Sequence, residues 1–75
     1  MDLKHRITID PNVRFGKACV RGTRITTGDV LSYLASGMSE PEILADFPAL
    51  SHEDILACLA FAADRERRVV SAPAA

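Results

Sequence analysis

The sequence predicts a mainly α domain: a short N-terminal β-hairpin followed by three helices in helix-turn-helix order. Three observations carry this reading. The first 26 residues hold short β-branched runs separated by turn residues. Three helix-start signals follow, at Thr26, Ser39 and Ser51. The links between the apolar runs behind them, Gly37-Met38 and Phe47-Pro48-Ala49-Leu50, are short enough to force close helix crossings. A single domain is expected over residues 1–75, with a β segment at 1–26, three helices at 27–68 and a tail at 69–75.

In the β segment, Arg6-Ile7-Thr8-Ile9 alternates polar and apolar residues, and Asp10-Pro11-Asn12 ends it as a turn. A second extended piece is expected from Lys17 to Val20, after Gly16. Arg21-Gly22-Thr23 reads as another turn, with Gly22 placed for a positive φ angle. Arg24-Ile25-Thr26 reads as a short third strand. Strands this few and this short are marginal alone, so they must pack on the helices. Their open edges also invite pairing with another copy.

Each helix start repeats one chemistry. Thr26, Ser39 and Ser51 are N-cap residues, with Asp29, Glu42 and Asp54 at the third helical position. The cap oxygen satisfies an orphan backbone N–H, and the acid both reaches back and favours the positive helix end. The pairs Ile25 with Val30, Met38 with Ile43, and Leu50 with Ile55 have the spacing of hydrophobic staples. The helices are expected at about 27–36, stopped by Gly37, at about 40–46, stopped before Pro48, and at about 52–68. Within the third, residues 55–63 are apolar on every face. Two readings follow: alanine as filler in an exposed helix, or one face for the core and another for a second chain. On the second reading Ile55, Leu56, Leu59 and Phe61 form an oligomer interface.

The net charge of −1 conceals opposed regions. Residues 1–24 balance at +4, residues 25–63 contain no Lys or Arg and balance at −6, and residues 64–75 balance at +1. A basic end suggests contact with nucleic acid or an acidic partner; the same asymmetry would also arise if the basic segment packs beside acidic helices. The third helix is a poor recognition helix, because its first turn holds His52, Glu53 and Asp54 where phosphates would lie. Any DNA contact is therefore expected from the N-terminal segment, as a β-ribbon.

Hydrophobic residues make up 48% of the chain, but eleven are alanine and there is no Trp. A core this thin usually needs a disulfide, a metal or a partner chain. Cys19 and Cys58 are expected to be reduced thiols in a cytoplasmic protein, since no apolar leader precedes them. No membrane span is expected. His5, Cys19, His52 and Cys58 lack the spacing of a metal site, so no metal or cofactor is expected. A second copy, in a homodimer or higher homo-oligomer, remains. No nucleophile elbow or phosphate loop is present, and the chain is not expected to be an enzyme.

The run Ile9-Asp10-Pro11, Gly16-Lys17, Val20-Arg21-Gly22-Thr23-Arg24-Ile25 resembles the defining motif of domain-of-unknown-function family 433, whose members are often assigned as VapB-type antitoxins. Gly37-Met38-Ser39, Ile43-Leu44, Phe47-Pro48-Ala49-Leu50 and Asp54-Ile55 match its helical half in order and spacing. The likeness covers about residues 6–68. Ala18 departs from it, standing where the family usually has proline. The resemblance implies a homeodomain-like trihelical helix-turn-helix, and a partner in a PIN-like ribonuclease toxin encoded nearby. It supplies no catalytic residues.

The expected function is therefore that of an antitoxin, binding such a toxin and its own operator DNA. A stand-alone DNA-binding regulator and a structural interaction module are the alternatives. Arg14, Lys17, Arg21 and Arg24 are the expected DNA or partner contacts, and Gly16, Gly22 and Thr23 the residues that shape the turns between them. For Arg21 and Arg24, carboxylates on the helices are the nearest intramolecular partners, and a bound ligand the other option.

Overall fold

The computed structural model describes residues 3–70. Two antiparallel strands, β1 (Ile7–Ile9) and β2 (Ala18–Val20), pair with Ile7 opposite Val20, Thr8 opposite Cys19 and Ile9 opposite Ala18. One 3-10 turn, Lys4–Arg6, leads into β1, and a second, Arg14–Gly16, lies in the connection between the strands. Helices α1 (Thr27–Ala35), α2 (Glu40–Asp46) and α3 (His52–Val70) follow. The mainly helical fold with an N-terminal hairpin agrees with the sequence reading.

The third strand does not form. Its pairing with β2 is confined to one isolated bridge, Thr26 with Cys19, beside a bond from the Val20 N–H to the Ile25 carbonyl at 2.9 Å. The reason lies in the preceding turn: the Thr23 hydroxyl captures the Ile25 N–H at 3.0 Å, so the chain curls back before it can run parallel to the sheet.

All three helices begin where the caps place them, and each cap is reciprocal. Thr26 and Asp29 exchange bonds of 2.9 and 3.1 Å, Ser39 and Glu42 of 3.3 and 2.8 Å, and Ser51 and Asp54 of 3.3 and 2.9 Å. Aspartate thus closes the box at α1 and α3 as glutamate does at α2. Helix α1 stops in a Schellman motif: Gly37 takes φ 99° and donates to the Leu34 carbonyl, while the Met38 N–H reaches the Tyr33 carbonyl. Helix α3 runs to Val70, two residues past the expected end; the rest of the expected tail lies outside the described residues.

The core consists of Val20, Val30, Ile43, Leu50, Ile55 and Cys58, with Ile25 and Met38 packed against it. Every staple pair read from the sequence thus contributes to it. Tyr33 and Phe47 stack on its flank with ring centroids 5.1 Å apart. No buried side-chain nitrogen or oxygen among the described residues lacks a hydrogen-bond partner.

Ion pairs from the N-terminal half reach two helices, Arg14 to Asp29 of α1 and Arg6 to Asp54 of α3. Asp54, 8% exposed and already engaged in the α3 cap, accepts an ion pair from Arg6 at 3.1 Å.

Candidate functional site

The turn after β2 is built by its own residues. Gly22 takes φ 78°, and the Thr23 hydroxyl donates to the Val20 carbonyl at 2.9 Å while accepting from Ile25. The backbone of Arg21 and Arg24 is therefore fixed, and both residues are exposed. Neither guanidinium bonds any described residue. The expected pairing with helix-borne acids is not made, because the acids facing the hairpin are already engaged. Asp29 serves its cap and Arg14, and Asp54 serves its cap and Arg6.

The other two predicted cations differ. Arg14 is turned inward, donating to the Arg24 carbonyl at 2.9 Å and lying 3.5 Å from Asp29. Lys17 is exposed, and its charge acts on Asp29. Lys17 and Arg21 bracket β2, about 13 Å of extended chain apart, so the four cations line the hairpin and do not form one cluster. Burial pushes the Asp29 carboxyl upward, but the Thr26 hydrogen bonds and the charges of Arg14 and Lys17 outweigh it and hold it below its ordinary value. At α2, hydrogen bonds from Ser39 likewise lower Glu42.

Between the strands the backbone breaks its usual rules. Arg14, Phe15 and Gly16 take φ of 49°, 58° and 82° in succession, a left-handed turn in which only the last residue is glycine. Gly16 N–H bonds the Val13 carbonyl, Lys17 N–H bonds the Arg14 carbonyl, and the Arg14 side chain ties the turn to α1. Phe15 sits at its tip, 97% exposed. Beside it opens a cleft of about 770 Å³ whose apolar surface comes from Ile9, Leu31 and Phe61. Ile9 is 63% exposed there. A second open cleft, about 680 Å³, lies on the other side of Ile9 and Phe61, against Leu3, Ile7 and Ala60.

Of the predicted interface residues, Ile55 is wholly buried in this chain's own core and has no surface to offer. Leu56 and Phe61 are half-buried, and Leu59 is exposed. Phe61 carries the Arg65 guanidinium over its ring at 5.9 Å. The start of α3 is closed off: His52 Nδ1 lies 2.7 Å from Glu40 Oε2, and Asp54 is engaged twice over.

Cys19 and Cys58 are both free and buried. Burial, with help from the Asp54 charge, pushes the Cys58 thiol up to about 11, which leaves little thiolate to react. Among the described residues no group of three or more His, Cys, Asp or Glu is placed to hold a metal ion, and no helix is long and apolar enough to cross a membrane.

Sequence reasoning missed three participants: Arg6, Ile9 and Phe15. Arg6 carried a strand signal and a share of the basic charge, and Ile9 a strand signal and a place in the family motif, but neither was marked as a contact. Phe15 stood in a stretch of turn residues with nothing to mark a left-handed backbone.

Fold and surface together define a class: small hairpin-plus-three-helix proteins whose hairpin exposes basic and apolar side chains. Residues 7–62 match the family described as "Protein of unknown function (DUF433)". The chain belongs to that family. It is also similar to the crystal structure of a DUF433 member protein from Anabaena variabilis ATCC 29413, at 31% identity and a TM-score of 0.80, over 91% of this chain and 67% of that one. No significant match was found among curated proteins.

Proposed function

We propose that this chain is a non-catalytic, homodimeric binding protein of the antitoxin type, which grips an acidic surface on a PIN-like ribonuclease through Arg21 and Arg24. The observation that carries this reading is the rigid turn holding two exposed guanidinium groups that no described carboxylate engages. Glycine, threonine and backbone bonds fix the backbone from which both side chains project. A turn ordered in advance loses little entropy on binding. Each arginine offers paired N–H donors to a carboxylate, a charge-assisted bond of roughly twice the ordinary strength.

DNA is the second candidate for the same two groups, since phosphates take guanidinium equally well. The closed, acidic start of α3 speaks against docking by a recognition helix, so operator binding would have to use the hairpin.

The test is co-purification with the product of the adjacent gene, which this reading expects to be a PIN-like ribonuclease. The wild-type chain should retain it, and the Arg21→Ala, Arg24→Ala double variant should lose at least about tenfold in affinity while keeping its helical signal. A wild-type chain that retains no such nuclease overturns the toxin reading. Upstream DNA bound with a steep salt dependence, abolished by the same double variant, would install the regulator reading in its place.

A further inference from the structure

Phe15 is a liability to the isolated chain. Its φ of 58° is one that glycine adopts freely and phenylalanine does not. At 97% exposure, its ring buries almost nothing that would offset the strain. The turn is nevertheless held firmly, by two backbone bonds and by Arg14 reaching to α1. A strained backbone, tied down so as to hold an aromatic ring in water, points to a surface that receives the ring.

The cleft beside the turn supplies the receptor. Its rim includes Gly16 and Lys17, the residues that follow Phe15, and its apolar floor is Ile9, Leu31 and Phe61. The ring points into solvent instead of this cleft, so a chain does not fill its own. Knob and hole on one surface, side by side, are what a two-fold axis between them requires, because each copy then inserts its knob in the other's hole.

Charge agrees. The charged groups around the cleft are Lys17, Asp29, Arg65 and Glu66, two of each sign, so an identical copy is not repelled. Size agrees as well. Two phenylalanines bury about 300–500 Å² between them, a fair share of the roughly 1,200–2,000 Å² in a specific interface, with the two apolar floors adding more.

We infer that the chain forms a two-fold homodimer in which Phe15 of each copy occupies the Ile9–Leu31–Phe61 cleft of the other. This deepens the dimeric part of the proposed function and is independent of the toxin.

Sedimentation equilibrium of the full chain tests it with two variants. Phe15→Gly removes the knob at a backbone position glycine tolerates, and Ile9→Lys spoils the hole at an exposed side chain. Each alone should weaken dimerisation at least about tenfold with its circular dichroism unchanged. Mixed in equal amounts, they should associate more tightly than either alone, because one intact knob then meets one intact hole. A wild-type chain that stays monomeric at roughly 100 μM overturns both this dimer and the dimeric reading above. A wild-type dimer that Phe15→Gly leaves unchanged, or variants that weaken but fail to complement, overturns the exchanged knob alone.

Discussion

The helical half and the hairpin half of this small chain are built on opposite terms. From Thr26 onward, local preference and packing agree: each cap closes, each staple reaches the core, and Gly37 stops α1 in the left-handed form it favours. Between Asp10 and Arg24 they disagree. Two residues other than glycine take positive φ, an aromatic ring faces water, and the guanidinium groups of Arg21 and Arg24 bond no described residue. Consistency across levels marks a region selected for folding, and local violations mark sites kept for another purpose. The first region carries most of the stability, with Val20 of β2 joining its core, and the exposed turns of the second are where the proposed recognition would act.

Substitutions in the two halves should therefore differ sharply in cost. Ile55 is fully buried at the centre of the core, and truncating it leaves a cavity that a domain of three tightly linked helices closes poorly. Ile55→Ala should cost about 3–4 kcal/mol in urea denaturation. Ile9→Ala, at an exposed isoleucine of the hairpin, should cost under about 0.5 kcal/mol. Comparable losses at the two positions would break the division.

Asp54 is where the halves meet. Asp54→Ala removes the acceptor for the Ser51 N–H and leaves Arg6 without its carboxylate, with a loss of about 2 kcal/mol. Arg6→Ala should cost about half as much, since the arginine is the more exposed partner and its removal leaves the cap intact. Equal losses would mean that the α3 cap contributes nothing beyond the tether.

How much of this was legible in the sequence follows the same boundary. Helix starts were readable because a cap is decided within four residues, as Ser39 with Glu42 shows. The Arg21–Arg24 turn was readable for the same reason, since Gly22 and Thr23 act on their immediate neighbours. Ion-pair partners were not: Arg6 meets Asp54 across 48 residues, a meeting settled only when α3 packs under the hairpin. The left-handed backbone at Phe15 was hidden because neither Arg14 nor Phe15 is a residue that prefers it. The all-apolar run of α3 was only half decoded, with Ile55 taken into the core and Leu59 left at the surface.

Phe15→Gly should raise stability. Phe15→Gly relieves about 1–2 kcal/mol of left-handed strain, while the added freedom of glycine in the unfolded chain returns about 0.5–1 kcal/mol. The monomer should be stabilised by about 0.5–1 kcal/mol, measured at concentrations where it does not self-associate. Since glycine also deletes the ring, a loss of stability would show that Phe15 serves the fold, and would move this turn to the other side of the comparison.

The smallest effect separates two of the three cap acids, Asp29 and Glu42. Asp29 and Glu42 both have folded values below their ordinary ones, so the unfolded chain takes up protons first as the pH drops. Their contribution is complete above the unfolded values, near pH 4–4.5, and is lost as the pH falls through the lower folded values. Glu42 closes only its own helix cap, whereas Asp29 also receives Arg14 and so fastens the strained turn to α1. Asp29→Asn and Glu42→Gln should each flatten the acid limb of a stability–pH profile. Only Asp29→Asn should also loosen the Phe15 turn, seen as faster amide exchange at Gly16 and Lys17. If Glu42→Gln quickens that exchange equally, Arg14 is not what holds the turn, and its strain must be stored in the hairpin itself.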